Sequence, residues 1–150
     1  MYKLTQEEAD ILIAMIKKFI DKKGNGQVME LPNIKERVFF EVVGEKREDK
    51  FLIHLEDKRI NEYAKKFTCQ GRLKSNDIIL MRLDINPTGR HKNPDGEKIH
   101  GNHIHIYKEG DDDGWAIPID IDDNSFIEVC YNFFERFNIV EPPYLQNRID

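Results

Sequence analysis

The sequence has few of the residues on which several common kinds of site depend. Its two cysteines, Cys69 and Cys130, are far apart and lack C-x-x-C spacing, which favours reduced core thiols over a disulfide framework or a cysteine zinc site. Its two serines, Ser75 and Ser125, lie outside any G-x-S-x-G pattern, so no serine hydrolase nucleophile is indicated. Phosphate-binding loops of the G-x-x-x-x-G-K or G-x-G-x-x-G type are absent as well.

Two further absences limit the class of protein. No stretch reaches the roughly 18 apolar residues of a membrane-spanning helix, and the N-terminal residues lack the apolar core of a signal peptide. The sequence therefore predicts a cytoplasmic protein with no membrane partner. An excess of basic residues is also missing, because the net charge is −5. This balance argues against an indiscriminate nucleic-acid coat protein but is compatible with a local binding site.

The residues that are present suffice for one folded unit. With 150 residues, of which 39% are hydrophobic and 34% charged, the chain can bury a core and keep a solvated surface. No repeat, low-complexity tract or linker divides it. We therefore expect residues 1–150 to form a single domain.

Hydrophobic periodicity predicts two helices. Thr5 and Glu8 form a capping-box pattern, and apolar residues then recur at helical spacing, which predicts a first helix from about Gln6 to Lys22. A second helix is predicted from about Phe126 to Phe137, where apolar residues form one stripe. That stripe is typical of core packing.

The residues between the helices predict an antiparallel sheet. Runs rich in β-branched, aromatic and aliphatic residues lie at 38–43, 51–55, 67–73, 78–85 and 102–107. Charged or turn-rich segments separate these runs, so a meander is the simplest topology. A short segment at 115–119 carries a proline that is typical of a sheet edge. The expected fold class is α+β, with about five antiparallel strands flanked by an N-terminal and a C-terminal helix.

Histidine is concentrated in one part of the chain, since four of the five histidines lie within residues 91–105. Side chains alternate along a strand, so His103, His105 and Tyr107 are expected on one face, with the two histidines roughly 6.6 Å apart. Ile104 and Ile106 would then face the core. By the same alternation, the strand before them presents polar residues on one face and apolar residues on the other.

The polar residues of that earlier strand are Arg82 and Asp84. If the two strands pair, with 86–101 as their connection, Arg82 and Asp84 share a face with His103, His105 and Tyr107. Arginine binds phosphate or carboxylate through two parallel hydrogen bonds, aspartate orients a histidine, and histidine acts as acid or base near neutral pH. This combination suits phosphodiester cleavage without a metal ion, with His91 and Tyr107 assisting.

The same side chains allow two other interpretations. A divalent metal could bind His103, His105 and either Asp84 or His91, with water in an open fourth position. The recognised metal signatures H-E-x-x-H and D-x-D-x-D-G are absent, however, so no metal or other cofactor is expected. Alternatively, the histidines are solvated or have structural hydrogen bonds only.

Four short segments resemble the signature of a family of uncharacterised bacterial and phage-associated proteins. They are R-L-D-I-N at 82–86, H-K-N-P-D-G at 91–96, H-I-H-I-Y-K-E-G at 103–110 and W-A at 115–116. The resemblance covers most of the chain and implies a mobile-element setting without a transferable activity. More loosely, the chain is similar to small ribonuclease toxins of toxin–antitoxin systems in having an Arg-Asp strand, then a histidine-bearing turn and a second strand. It differs from such toxins in being acidic.

These patterns lead to two hypotheses about function. The first is a small, toxin-like phosphodiesterase directed at RNA or a nucleotide, with His103 and His105 as acid and base, Arg82 holding phosphate and Asp84 orienting a histidine. The second is a non-catalytic binding protein, such as an antitoxin-like or defence-inhibiting partner, that recognises another macromolecule through the same polar face. The two hypotheses differ in whether the polar side chains surround one shared site.

Overall fold

The structure is a computed structural model that describes residues 3–21, 24, 26–111 and 115–147. Its helices are α1 (Gln6–Ala14) and α2 (Phe126–Arg136). Its strands are β1 (Lys17–Phe19), β2 (Val28–Glu30), β3 (Arg37–Val43), β4 (Lys50–Asp57), β5 (Phe67–Leu73), β6 (Ile79–Ile85), β7 (Arg90–Lys92), β8 (Lys98–His100), β9 (His103–Ile106), β10 (Ile117–Pro118), β11 (Ile139–Glu141) and β12 (Tyr144–Gln146). Among the described residues, no helix is both long enough and apolar enough to cross a lipid bilayer.

The main sheet has eight strands in the order β10-β9-β6-β5-β4-β3-β1-β11. All neighbours in it are antiparallel except β1 and β11. The α+β class and the meander from β3 to β6 are confirmed, and the five predicted runs appear as β3, β4, β5, β6 and β9. The sheet is larger than the predicted five strands because β1, β10 and β11 each add two or three residues at its edges. Such short segments carry almost no periodic signal.

The first helix is shorter than predicted. It ends at Ala14, and Lys17–Phe19 is a strand rather than the continuation of the helix. The side chain of Lys17 is fully buried, and its Nζ donates to the carbonyl oxygens of Ile13, Met15 and Phe137 at 2.9 Å each. Because this ammonium group satisfies carbonyls at the end of α1, the chain can leave the helix there and join the sheet. The predicted end at Lys22 lies outside the described residues.

The two helix N-termini follow the sequence prediction. The Thr5 side chain accepts from the Glu8 backbone N–H, and the Glu8 side chain accepts from the Thr5 backbone N–H, which completes the capping box. Ser125 caps α2 in the same manner through Glu128 N–H. The second helix ends at Arg136, one residue earlier than predicted, with Phe137 as its C-cap.

The core lies between α2 and one face of the main sheet. Val129, Cys130 and Phe133 of α2 are completely buried, as are apolar residues of β4, β5 and β6. The helix packs closely because Gly71 has no side chain: a Cβ there would lie 2.5 Å from the ring of Phe137. The alternate residues of the same strands project from the opposite face of the sheet, which is mainly polar.

Candidate functional site

The strands that carry the predicted polar residues are direct neighbours. Strand β6 pairs with β9 in antiparallel register, with Arg82 opposite His105 and Asp84 opposite His103. Directly opposed residues project from the same face of a sheet, so all four side chains lie together on the polar face. The pairing on which the sequence hypothesis depends is therefore present.

The carboxylate of Asp84 is the centre of this group. Its Oδ1 accepts a hydrogen bond from Thr68 Oγ1 at 2.8 Å, and its Oδ2 accepts one from Arg82 Nε at 2.9 Å. Oδ2 also lies 3.5 Å from His103 Nε2 and 3.4 Å from His105 Nε2. Burial alone would raise the pKa of Asp84, but the contacts with His103, Arg82 and Thr68 outweigh it and hold that pKa well below its usual range. Asp84 is therefore ionised.

His103 is oriented by partners on both ring nitrogens. Its Nδ1 donates to the carbonyl oxygen of Gly101 at 3.0 Å, which turns Nε2 towards Asp84. The hydrogen bond with Asp84 raises the pKa of His103 against the opposing effect of burial, and the Gly101 carbonyl adds to this rise. The protonated imidazolium is therefore favoured, with a proton available at Nε2.

His105 has the opposite arrangement. Its Nε2 lies 3.1 Å from Arg82 Nη2, and a guanidinium group can only donate, so Nε2 is the acceptor and Nδ1 carries the proton. The contact of Nε2 with Asp84 is longer, at 3.4 Å. Nδ1 is buried and has no hydrogen-bond partner among the described residues. The two imidazoles of β9 thus differ: His103 presents a proton and His105 presents a lone pair.

His91 joins this group through a hairpin, although the turn-rich sequence of this segment predicts a loop. Strands β7 and β8 form a separate two-stranded sheet. It places the ring centroid of His91 5.5 Å from the ring centroid of His103 and 4.9 Å from that of His105. Asn93 fixes the hairpin to the chain near β10, since its side chain donates to the Ala116 carbonyl and accepts from the Ala116 N–H. The hairpin covers the imidazoles, so His103 and His105 are buried while Arg82 is partly exposed.

The histidines also form a candidate metal site. One ring nitrogen from each of His91, His103 and His105 lies within 4.8 Å of the other two. Three imidazoles are the ligand set of one type of catalytic zinc centre. Asp84 and His91 were the two alternatives for the third ligand; the oxygens of Asp84 bond with Thr68 and Arg82, so His91 completes the set better. The carbonyl of Gly101 orients His103 as the outer partners of metal-bound histidines do.

Tyr107 was predicted to share the polar face and assist the reaction, but its hydroxyl lies elsewhere. Tyr107 follows the end of β9, and its hydroxyl donates to the Leu4 carbonyl at 2.6 Å, so it secures the segment before α1. The structure therefore brings together Arg82, Asp84, His91, His103 and His105 but directs the Tyr107 hydroxyl elsewhere. Ile106 was expected in the core and is instead partly exposed, since β9 ends there next to the two-residue edge strand β10.

Two residues of the site were missed in the sequence. Thr68 lies opposite Asp84 on β5 and would have been found from the register of two long neighbouring runs. Asn93 belongs to the H-K-N-P-D-G segment, whose unusual composition was the available signal. Both residues hold other members of the site in place.

Comparisons with known proteins identify a family without an activity. A family model described as "Family of unknown function (DUF6978)" matches residues 4–139. No curated protein and no solved structure matches the chain.

Proposed function

Because the chain belongs to the DUF6978 family, whose function is unknown, its activity must be inferred from the site, and we propose a small RNA-directed phosphodiesterase. The observation that supports this proposal is the convergence of the imidazoles of His103 and His105 on one arginine and one carboxylate. A general acid, a general base and a phosphate-binding cation are the parts that phosphodiester cleavage requires. All of them project from β6 and β9.

In this proposal each side chain has a separate role. Arg82 binds the phosphate through the guanidinium nitrogens that Asp84 does not hold. As the phosphate takes the Nη2 donor, the lone pair of His105 Nε2 becomes available as the base. His103 supplies the proton, and Asp84 is a positioning residue that keeps both Arg82 and His103 in place.

The proposed reaction is an internal transfer within RNA. His105 removes the proton of a ribose 2′-hydroxyl, whose oxygen forms a bond to phosphorus. The bond from phosphorus to the 5′-oxygen of the next nucleotide breaks, and His103 protonates that oxygen. The products are a 2′,3′-cyclic phosphate and a 5′-hydroxyl, and no water or cofactor is consumed. The neighbouring His91 helps to exclude solvent from the imidazoles.

A panel of single-stranded and structured RNAs, incubated in the presence of a chelator, tests this activity. We expect cleavage by the wild-type protein and a loss of at least about a hundredfold in the variant with both His103→Gln and His105→Gln. His100→Ala is the matched control, because His100 belongs to the same hairpin as His91 but is exposed and outside the cluster. Equal cleavage by the double variant would refute the catalytic roles. RNA binding without cleavage by the wild type would instead support the non-catalytic binding protein.

A second candidate is a metal-dependent hydrolase, which the close approach of His91, His103 and His105 favours. A divalent transition metal held by three imidazoles lowers the pKa of its bound water and would make hydroxide available for hydrolysis. The two candidates give different products. Hydrolysis by water leaves a linear phosphate and does not require the 2′-hydroxyl, whereas the internal transfer leaves a cyclic phosphate and cannot act on DNA.

A further inference from the structure

The candidate site lies at one end of a row of side chains that crosses the polar face of the main sheet. The register of four consecutive strand pairs aligns Phe39, His54, Gln70, Arg82 and His105. Neighbouring strands are about 4.8 Å apart, so Phe39 lies roughly 14 Å from Arg82 along this row. An aromatic side chain and the predicted phosphate-binding residue thus lie in one row on one face of the sheet, with the half-buried His54 and the buried Gln70 between them.

Phe39 differs from the other large apolar residues of the central strands because it is exposed. Its side chain is 45% accessible, whereas its neighbours Phe40 and Val42 in β3 are buried on the other face. The ring stacks on His54, with centroids 4.7 Å apart and planes inclined by 22°. An exposed phenylalanine stacked on a histidine has no role in the core, and it offers an aromatic surface to a ligand.

Two arginines flank this aromatic surface. The guanidinium carbons of Arg37 and Arg72 each lie 5.8 Å from the centroid of the Phe39 ring. Arginines beside an exposed aromatic ring suit a ligand that combines a flat base with a phosphate. Three acidic groups lie near these residues: Glu41 pairs with Lys74, Asp77 lies 3.4 Å from Arg72 Nε, and Glu56 lies 3.0 Å from Nε2 of His54, whose pKa burial lowers.

A ligand that lies on this aromatic surface would reach the candidate site from the side on which Arg82 is exposed. Within the candidate site, the hairpin covers the histidines, while Arg82 keeps the largest exposed fraction of the Arg82, Asp84 and β9 histidine group. Arg82 is also the member that lies next to Gln70 in the row. A phosphate approaching from the side of Phe39 therefore meets Arg82 first.

We propose that this row is the binding track for single-stranded RNA, with one base stacked on Phe39, a phosphate near Arg37 and Arg72, and the scissile phosphate on Arg82. The inference rests on the proposed phosphodiesterase function and names the form of its substrate. Single strands fit because their bases can unstack and rest on an aromatic side chain, whereas the bases of a duplex are held in pairs. Stacking is tolerant of sequence, so the track itself selects strandedness rather than a base.

Binding of a non-cleavable probe to the full chain tests the track. A fluorescent 2′-O-methyl RNA lacks the nucleophilic hydroxyl, so anisotropy reports binding alone. We expect Phe39→Ala to weaken binding roughly tenfold, as loss of one stacked base does, and Phe39→Trp to retain it. Ile60→Ala is the control, because Ile60 is 76% exposed but lies outside the row. A duplex of the same sequence should bind more weakly than the single strand.

The possible results distinguish the RNA-binding track from the proposed cleavage reaction. Equal affinity of wild type and Phe39→Ala for the probe, or equal affinity for single strand and duplex, would overturn the track even where RNA is cleaved. Phe39-dependent binding of the probe, together with no cleavage of any RNA by the wild type, would support the track and refute the phosphodiesterase. Thermal unfolding of each variant identifies any loss of binding that comes from misfolding. If Phe39→Ala is misfolded, the binding of Phe39→Trp shows whether an aromatic ring at this position is sufficient.

Discussion

Asp84 and His103 lie directly opposite each other on β6 and β9, with Asp84 Oδ2 3.5 Å from His103 Nε2. The same carboxylate oxygen accepts from Arg82 Nε. One partly buried carboxylate therefore favours the protonated form of a histidine and orients the arginine beside it.

Replacing Asp84 by Asn should lower the rate of RNA cleavage by about a hundredfold or more, because it removes the partner that keeps His103 protonated. Asp84 raises the pKa of His103, so the acid form persists to higher pH in the wild type. The alkaline limb of the kcat profile should consequently move to lower pH in Asp84→Asn. A profile whose alkaline limb does not move would show that another residue is the acid. Thr68→Val, which removes only one hydrogen bond to Asp84, should have a smaller effect.

His103 also makes the stability of the fold depend on pH. Its pKa is raised in the folded state, so its stabilising contribution is fully present below the unfolded pKa of about 6.5 and is lost as the pH rises through the folded pKa. Asp84 stays ionised throughout this range, because its own pKa is lowered. The wild type should therefore exceed His103→Gln in free energy of unfolding by more at about pH 6 than at about pH 9. Urea titrations at both values measure this difference, and a gap that widened with pH would contradict the assignment.

Lys17 should be important for stability although burial lowers its pKa to about 7 and so disfavours the charged form. Lys17→Met would leave the carbonyls of Ile13, Met15 and Phe137 without their common donor and should cost about 2–4 kcal/mol. The exposed neighbour Lys18 is the control, because Lys18→Met loses only a surface ion pair with Glu141. Chemical denaturation compares the two variants. Equal stability of both would mean that the buried ammonium does not hold α1 to the sheet.

Zinc should distinguish the two candidate chemistries. If the three imidazoles bind the ion, zinc raises the Tm of the wild type and of His100→Ala but not that of His91→Ala. Elemental analysis of the purified protein would then show one metal ion per chain. A wild-type Tm that zinc leaves unchanged, or an equal rise in His91→Ala, would exclude the metal centre at this cluster.

Much of the site could be predicted because it depends on the alternation of side chains between the two faces of a single strand. Arg82 and Asp84 share one face of β6, His103 and His105 share one face of β9, and two turn-rich segments between them allow the strands to pair. The position of His91 could not be predicted in this way. It depends on the contact of Asn93 with Ala116, which joins residues far apart in the chain.

The errors in the fold have similar causes. The apolar spacing around residues 12–20 fits a helix, yet Lys17 is buried and its neighbours join the sheet, because tertiary hydrogen bonds override a local pattern. Tyr107 continues the alternation of β9 in the sequence, but the strand ends at Ile106 and the hydroxyl bonds to Leu4 instead. Periodicity indicates which residues share a face and does not show where a strand stops.

The most direct test of the proposed chemistry uses a DNA oligonucleotide that contains a single ribonucleotide. Incubated with the protein and a chelator, it offers one 2′-hydroxyl, and mass spectrometry identifies the ends produced. We expect the proposed mechanism to give one cleavage, immediately 3′ of the ribonucleotide, leaving a 2′,3′-cyclic phosphate and a 5′-hydroxyl, and no cleavage with His105→Gln. Cleavage elsewhere in the DNA, a linear phosphate as the first product, or equal cleavage by His105→Gln would contradict it.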